Sequence, residues 1–153
     1  MNVVLVNPEI PQNTGNVART CVMTGTALHL AGKLGFSLED RYLRRAGLDY
    51  WPYLNLTCYP DFDSLLRRYG EYSFYFFSTR GRRCYTEVDY SRDDFLVFGS
   101  ETEGLPLPML KQWSGSILKI PMIQNIERSL NLSNSVAIVL FEALRQQGFP
   151  GME

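Results

Sequence analysis

Short apolar runs, several of them unbroken by polar residues, set the strongest limit on how this chain can fold. They lie at Val3–Val6, Ala27–Ala31, Leu54–Tyr59, Phe74–Phe77, Phe95–Phe98 and Ile117–Ile120. A strand with one wet face alternates apolar and polar residues. A continuous run of β-branched and aromatic residues reads instead as a strand buried on both faces, hence a largely parallel sheet. Helical patterns fill the intervals. Asn16–Thr24 is the first, and Leu38–Ala46 follows Ser37 with Asp40 at capping-box spacing and Gly47 as its stop. Phe62–Tyr69 has Asp61 as its predicted N-cap and ends at Gly70, a short helical turn is expected after Pro106, and the last helix runs from Leu132 to Gln147. This order predicts an α/β fold, a mostly parallel sheet flanked by helices, in one domain over residues 1–153.

The last helix carries Val136-Ala137-Ile138-Val139-Leu140-Phe141, apolar almost all round, before Gly148 and Pro150 end it. Such a helix has to be covered on more than one side, by its own sheet or by a partner subunit. Cys21, Cys58 and Cys84 are odd in number and lack CxxC spacing, so reduced thiols are expected and neither a disulfide framework nor a metal site. The first apolar run stops at Val6, too short for a signal peptide or a membrane span, which predicts a cytoplasmic protein. A net charge of −1 gives no global attraction to nucleic acid, but Arg41, Arg44 and Arg45, and again Arg80, Arg82 and Arg83, form local basic clusters.

In open parallel sheets, ligands collect beyond the carboxyl ends of the strands. Three segments there have a composition suited to binding: Asn7–Asn16, leading to a helix with Arg19; Gly99–Pro106; and Pro121–Ser133. Taken singly, each is also an ordinary turn, since Asn, Gly and Pro punctuate loops. Neither GxGxxG nor GxxxxGK[ST] occurs, which removes the main support for the usual nucleotide-binding folds.

Together the segments match a family. NxGNxxR at Asn13–Arg19, FGxExxGLP at Phe98–Pro106, and IPM followed by RSLNLSNSVAIVLFEA within Ile120–Ala143 resemble, in order, the three motifs of SPOUT RNA methyltransferases. The segment Leu43–Tyr50 resembles the TrmL group, which methylates the tRNA wobble ribose. The resemblance implies a C-terminal trefoil knot, a homodimer, and transfer of methyl from S-adenosylmethionine to the 2′-hydroxyl of nucleotide 34 of a tRNA, with leucine isoacceptors the expected substrates. Alternatives within the resemblance are a ribosomal RNA ribose as acceptor, or a knot protein that binds RNA without catalysis.

Carried over residue by residue, the resemblance assigns the cofactor pocket to Phe77, Gly99, Glu101 and Gly104 together with Ile120, Met122, Ser129, Leu130 and Ser133. Phe77, Leu105, Ile120 and Leu130 would supply apolar walls for adenine, and bare glycine backbone would allow close approach. Glu101 could counter the sulfonium charge or position the ribose, but the preferred reading is a helix-start or turn carboxylate on local amides that holds the loop itself. Arg19 and Asn13 are the expected catalytic residues. The Arg19 guanidinium is ordinarily never deprotonated, so orientation and electrostatic help fit it better than a base role. Asn13 orders the loop or the substrate, or caps a helix. Arg41, Arg44, Arg45 and Arg80 are the expected RNA phosphate contacts. His29, mid-strand in Leu28-His29-Leu30, is read as a strand histidine outside the chemistry.

Overall fold

Among the described residues, seven parallel strands form one sheet, with Leu56–Tyr59, Ala27–Ala31, Asn2–Val6, Phe95–Phe98, Phe74–Phe77, Ile117–Lys119 and Arg83–Cys84 side by side in that order. The structure, a computed structural model, describes residues 1–39, 50–123 and 128–153. Along the chain run β1 (Asn2–Val6), α1 (Pro11–Met23), β2 (Ala27–Ala31), β3 (Leu56–Tyr59), α2 (Phe62–Tyr69), β4 (Phe74–Phe77), β5 (Arg83–Cys84), β6 (Phe95–Phe98), α3 (Leu107–Gln112), β7 (Ile117–Lys119) and α4 (Leu132–Gln146). Most of the predicted Leu38–Ala46 helix, with Arg41, Arg44 and Arg45, lies outside the described residues.

The continuous apolar runs are buried on both faces because successive side chains point to opposite sides of a strand. Val3 and Leu5 enter one core with Leu28, Leu96 and Phe98, under α1 and α4. Val4 and Val6 enter the other with Phe74, Phe76, Phe95 and Val97, under α2 and α3. Helices thus cover both faces, and all four β6 residues are buried.

Two elements differ from the sequence reading. The first helix starts at Pro11 and not at Asn16: proline suits the first helical position, and Ile10, the N-cap, offers no side chain to announce the start. The strand β5 was not expected, since two residues without an apolar run give no periodic signal. By contrast, α2 has its foreseen ends, with Asp61 accepting the Ser64 amide at 2.7 Å, a cap worth about 1 kcal/mol. No helix among the described residues is long and apolar enough to cross a membrane.

His29 is a core residue, 3% exposed, with its ring among those of Tyr59, Tyr69 and Phe95. Burial pushes its pKa down from 6.5 to about 4, helped by the nearby Arg68 and N-terminal charges. Because the folded pKa lies below the unfolded one, this contribution to stability is fully present above pH 6.5 and is lost as pH falls toward 4. The loss amounts to about 3 kcal/mol. Urea titrations from pH 7 to 4.5 are expected to show that decline, and His29→Leu to flatten it. An unchanged slope in the variant would show that His29 does not drive it.

Candidate active site

The order of the sheet reverses between β1 and β6. From β1 the chain first builds outward to β2 and β3, then returns to build β4, β6 and β7 on the other side. Loops leaving neighbouring strands at such a point part to opposite faces and leave a crevice at the carboxyl ends. A cleft of about 960 Å³ lies beside that point, at the ends of β4, β6 and β7, with Ile10 and Asn13 from the segment after β1 among its lining residues.

Three segments far apart in sequence close around it through a chain of hydrogen bonds. The Glu101 carboxylate accepts the Glu9 amide at 2.8 Å, the Ile10 amide at 3.1 Å and Asn13 Nδ2 at 3.1 Å. Asn13 Oδ1 in turn accepts Asn131 Nδ2 at 2.9 Å. Asn131 Oδ1 accepts the Ser133 amide at 2.9 Å and the Ser133 hydroxyl at 2.7 Å, capping α4. Glu101 supplies the carboxylate that α1 lacks at its own N-terminus, where the helix dipole favours negative charge. Asn13 is 6% exposed, so its amide is satisfied within this chain of contacts.

The turn that carries Glu101 is held tight. Ser100 and Gly104 exchange two backbone hydrogen bonds, at 3.2 and 3.0 Å. A Cβ on Gly99 would overlap the Gly104 carbonyl carbon and the Leu105 nitrogen, so only glycine fits there. Gly104 has φ +71°, in the left-handed region that glycine enters without strain.

Phe77, buried and stacked on Phe98 with ring centres 4.7 Å apart, lines the cleft with Gly99, Glu101 and Gly104. Ile120, Met122, Ser129 and Leu130 line it from the third segment, and Asn13 and Arg80 also reach it. Ser133 is not among the lining residues; its amide and hydroxyl both donate to Asn131 Oδ1. Ser135, one helical turn past Asn131, is. Sequence reasoning also passed over Ile10, Leu107, Leu110 and Arg128. The i, i+3 spacing of Leu107 and Leu110, which brings both to one side of α3, was the available signal.

Arg19 stands apart from the cleft walls. It is exposed on α1, about 9 Å along the helix from Asn13, with its guanidinium 5.0 Å from the centre of the Tyr50 ring. No group of three or more His, Cys, Asp or Glu side chains among the described residues is placed to hold a metal ion.

The chain is similar to known proteins in sequence and in fold. Residues 1–141 match the model of the SpoU rRNA Methylase family. A tRNA (cytidine(34)-2′-O)-methyltransferase of Escherichia coli K12 is 41% identical over 99% of this chain and 96% of its own. A solved structure described as giving insight into 2-OH methylation of C/U34 on tRNA superposes with TM-score 0.91, is 42% identical, and is matched over 96% of this chain and 95% of its own. An AdoMet-bound rRNA methyltransferase of Sinorhizobium meliloti superposes with TM-score 0.82 at 26% identity, over 94% of this chain and 55% of that one. On the match over residues 1–141, the chain belongs to the SpoU methylase family.

Proposed function

We propose that this protein transfers a methyl group from S-adenosylmethionine to the ribose 2′-hydroxyl of the wobble nucleotide, position 34, of a tRNA, with leucine isoacceptors the expected substrates. The hydrogen-bond chain from Glu101 through Asn13 to Asn131 carries this reading, because it gathers all three segments around one cleft. The family supports methyl transfer, and the relatives that act on nucleotide 34 support the position.

The cleft fits the cofactor in size and chemistry. Ligand pockets of this kind span roughly 300 to 1,000 Å³ and combine apolar walls with a few polar groups. Phe77, Leu105, Ile120 and Leu130 offer the walls, and the backbone at Gly104, with open space where a Cβ would stand, offers close approach. S-adenosylmethionine, when bound, supplies a methyl carbon on a sulfonium, an electrophile that needs no metal. What the chain must add is alignment of the attacking hydroxyl, which can lower the barrier by up to roughly 7 to 11 kcal/mol. Arg19 is assigned to orient the target nucleotide and stabilise charge around it, Arg80 to contact RNA phosphate, and Asn13 to hold the helix that carries Arg19. Arg41, Arg44 and Arg45 are also assigned to contact RNA phosphate.

The reading includes a homodimer, a C-terminal trefoil knot and a cytoplasmic setting. Ile138 and Phe141, three residues apart on α4, are 36% and 44% exposed, and Met23 at the end of α1 is 58% exposed. A second copy would cover these exposed apolar side chains and would bring a second Arg19 into the assembly. For the knot, the close passage of the stretch after β4 against β7 is in keeping: a Cβ on Gly81 would meet the Leu118 carbonyl carbon at 2.5 Å. Sedimentation is expected to give twice the chain mass, and Phe141→Glu to give the single-chain mass. A wild-type monomer would remove the dimer from this reading.

Mass spectrometry of anticodon nucleosides from cells with and without the gene tests the function itself. Loss of 2′-O-methylation at position 34 in the deletion strain is expected. Retention of that mark, or methyl incorporation by purified protein into ribosomal RNA and not tRNA, would overturn it.

A further inference from the structure

The two loops that meet at the cleft are joined by a second carboxylate, which the assignment of the motifs does not use. While Glu101 reaches from the β6–α3 loop to the amides of Glu9 and Ile10, Glu9 reaches back in the opposite direction. Its carboxylate accepts the Thr102 amide at 3.1 Å and the Thr102 hydroxyl at 2.8 and 2.9 Å. Adjacent residues of one loop thus bind adjacent residues of the other reciprocally, across more than 90 positions of sequence.

The consequence is mechanical. The Ser100–Gly104 turn forms a wall of the cleft, and its own hydrogen bonds fix its shape but not its position relative to α1. Glu101 ties it to the N-terminal end of α1 through a single side chain, at one position of the turn. With Glu9 on Thr102 there are two adjacent attachments, and two points fix an orientation where one does not. Charged acceptors on N–H and O–H donors are roughly twice as strong as neutral pairs.

We infer that Glu9 is a positioning residue for the cofactor wall: its clasp on Thr102, paired with that of Glu101 on the α1 N-terminus, holds the Ser100–Gly104 turn in register with the helix that carries Arg19. The link to cofactor binding rests on the function proposed above. The clasp itself does not.

Two readouts separate these. In cofactor-free protein, hydrogen exchange at the Thr102 amide is expected to speed up at least about tenfold in Glu9→Ala, because its acceptor is gone. Glu9→Gln, whose amide oxygen still accepts from Thr102 N and whose NH2 can donate to Oγ1, is expected to stay within about threefold of wild type. In calorimetric titrations with S-adenosylhomocysteine, Kd is expected to rise about tenfold in Glu9→Ala and about threefold in Thr102→Val, with Glu9→Gln close to wild type. The double variant Glu9→Ala/Thr102→Val is expected to bind no more weakly than Glu9→Ala alone, since both remove one interaction. At saturating cofactor, kcat is expected to fall less than threefold in Glu9→Ala, so that the loss appears in KM.

Unchanged Thr102 exchange in Glu9→Ala would overturn the clasp. Wild-type affinity in Glu9→Ala, multiplied losses in the double variant, or a Glu9→Gln protein as weak as Glu9→Ala would overturn its role in positioning. Wild-type protein that binds no S-adenosylhomocysteine would sink the proposed function, and the exchange result would still decide whether Glu9 holds the turn.

Discussion

Arg19→Ala is expected to bind S-adenosylhomocysteine within about twofold of wild type while turnover falls by about two to three orders of magnitude, the scale seen on removing a well-aimed electrostatic group. The separation follows from geometry. Arg19 lines no part of the cleft, so the cofactor walls lose nothing when its side chain is cut back. Its exposed guanidinium on the Tyr50 ring, 5.0 Å from the centre, is free to meet a nucleotide that approaches over α1. Arg19→Lys keeps the charge but loses the planar fork and the stack, and is expected to recover only a small part of the rate. Calorimetry together with single-turnover methylation of tRNA measures both quantities. Full turnover in Arg19→Ala would strike the residue from the mechanism.

Gly99→Ala is expected to do the reverse and damage the cofactor site at its base. The added Cβ would overlap backbone atoms of Gly104 and Leu105, and no side-chain rotation relieves a clash with backbone. The Ser100–Gly104 turn has to open, and Glu101 is drawn off the N-terminus of α1 with it. A stability loss of about 3 kcal/mol is expected, within the range for overpacking at a strained site. Cofactor affinity is expected to fall about a hundredfold, equivalent to roughly 2.7 kcal/mol. Gly104→Ala is the control. No protein atom lies within 4 Å of a Cβ there, so in cofactor-free protein its stability loss is only the left-handed backbone strain of about 1 to 2 kcal/mol. Wild-type affinity in Gly99→Ala would show that the turn relaxes without moving the wall.

The two glycines differ in how far sequence could separate them. Both read as turn glycines beside FGxExxG, but which one is excluded by contact and which by dihedral angle depends on the course of the backbone. Glu101 shows the same limit from the other side. A structural role on local amides is its preferred reading from sequence, yet its carboxylate accepts amides at the start of α1, more than 90 residues upstream. The start of that helix was placed too late for this reason: its anchoring carboxylate is not local, and Ile10 gives no sign of a cap. Where the cap is local, as with Asp61 and Ser64 in α2, the boundary was legible.

The sequence by itself determined the kind of fold and the type of chemistry. Unbroken apolar runs specify strands buried on both faces, helix ends are written in neighbouring residues, and the three motifs resemble those of one family in their order. Only the tertiary structure decided how those motifs meet. It linked Asn13 to Glu101 and Asn131, paired Glu9 with Thr102, put Ser135 in place of Ser133 at the cleft, and set Arg19 outside it. The physical reason is that strand and helix preferences act over a few consecutive residues. Hydrogen bonds between residues 88 and 118 positions apart exist only once parallel pairing has brought the strand ends into one row.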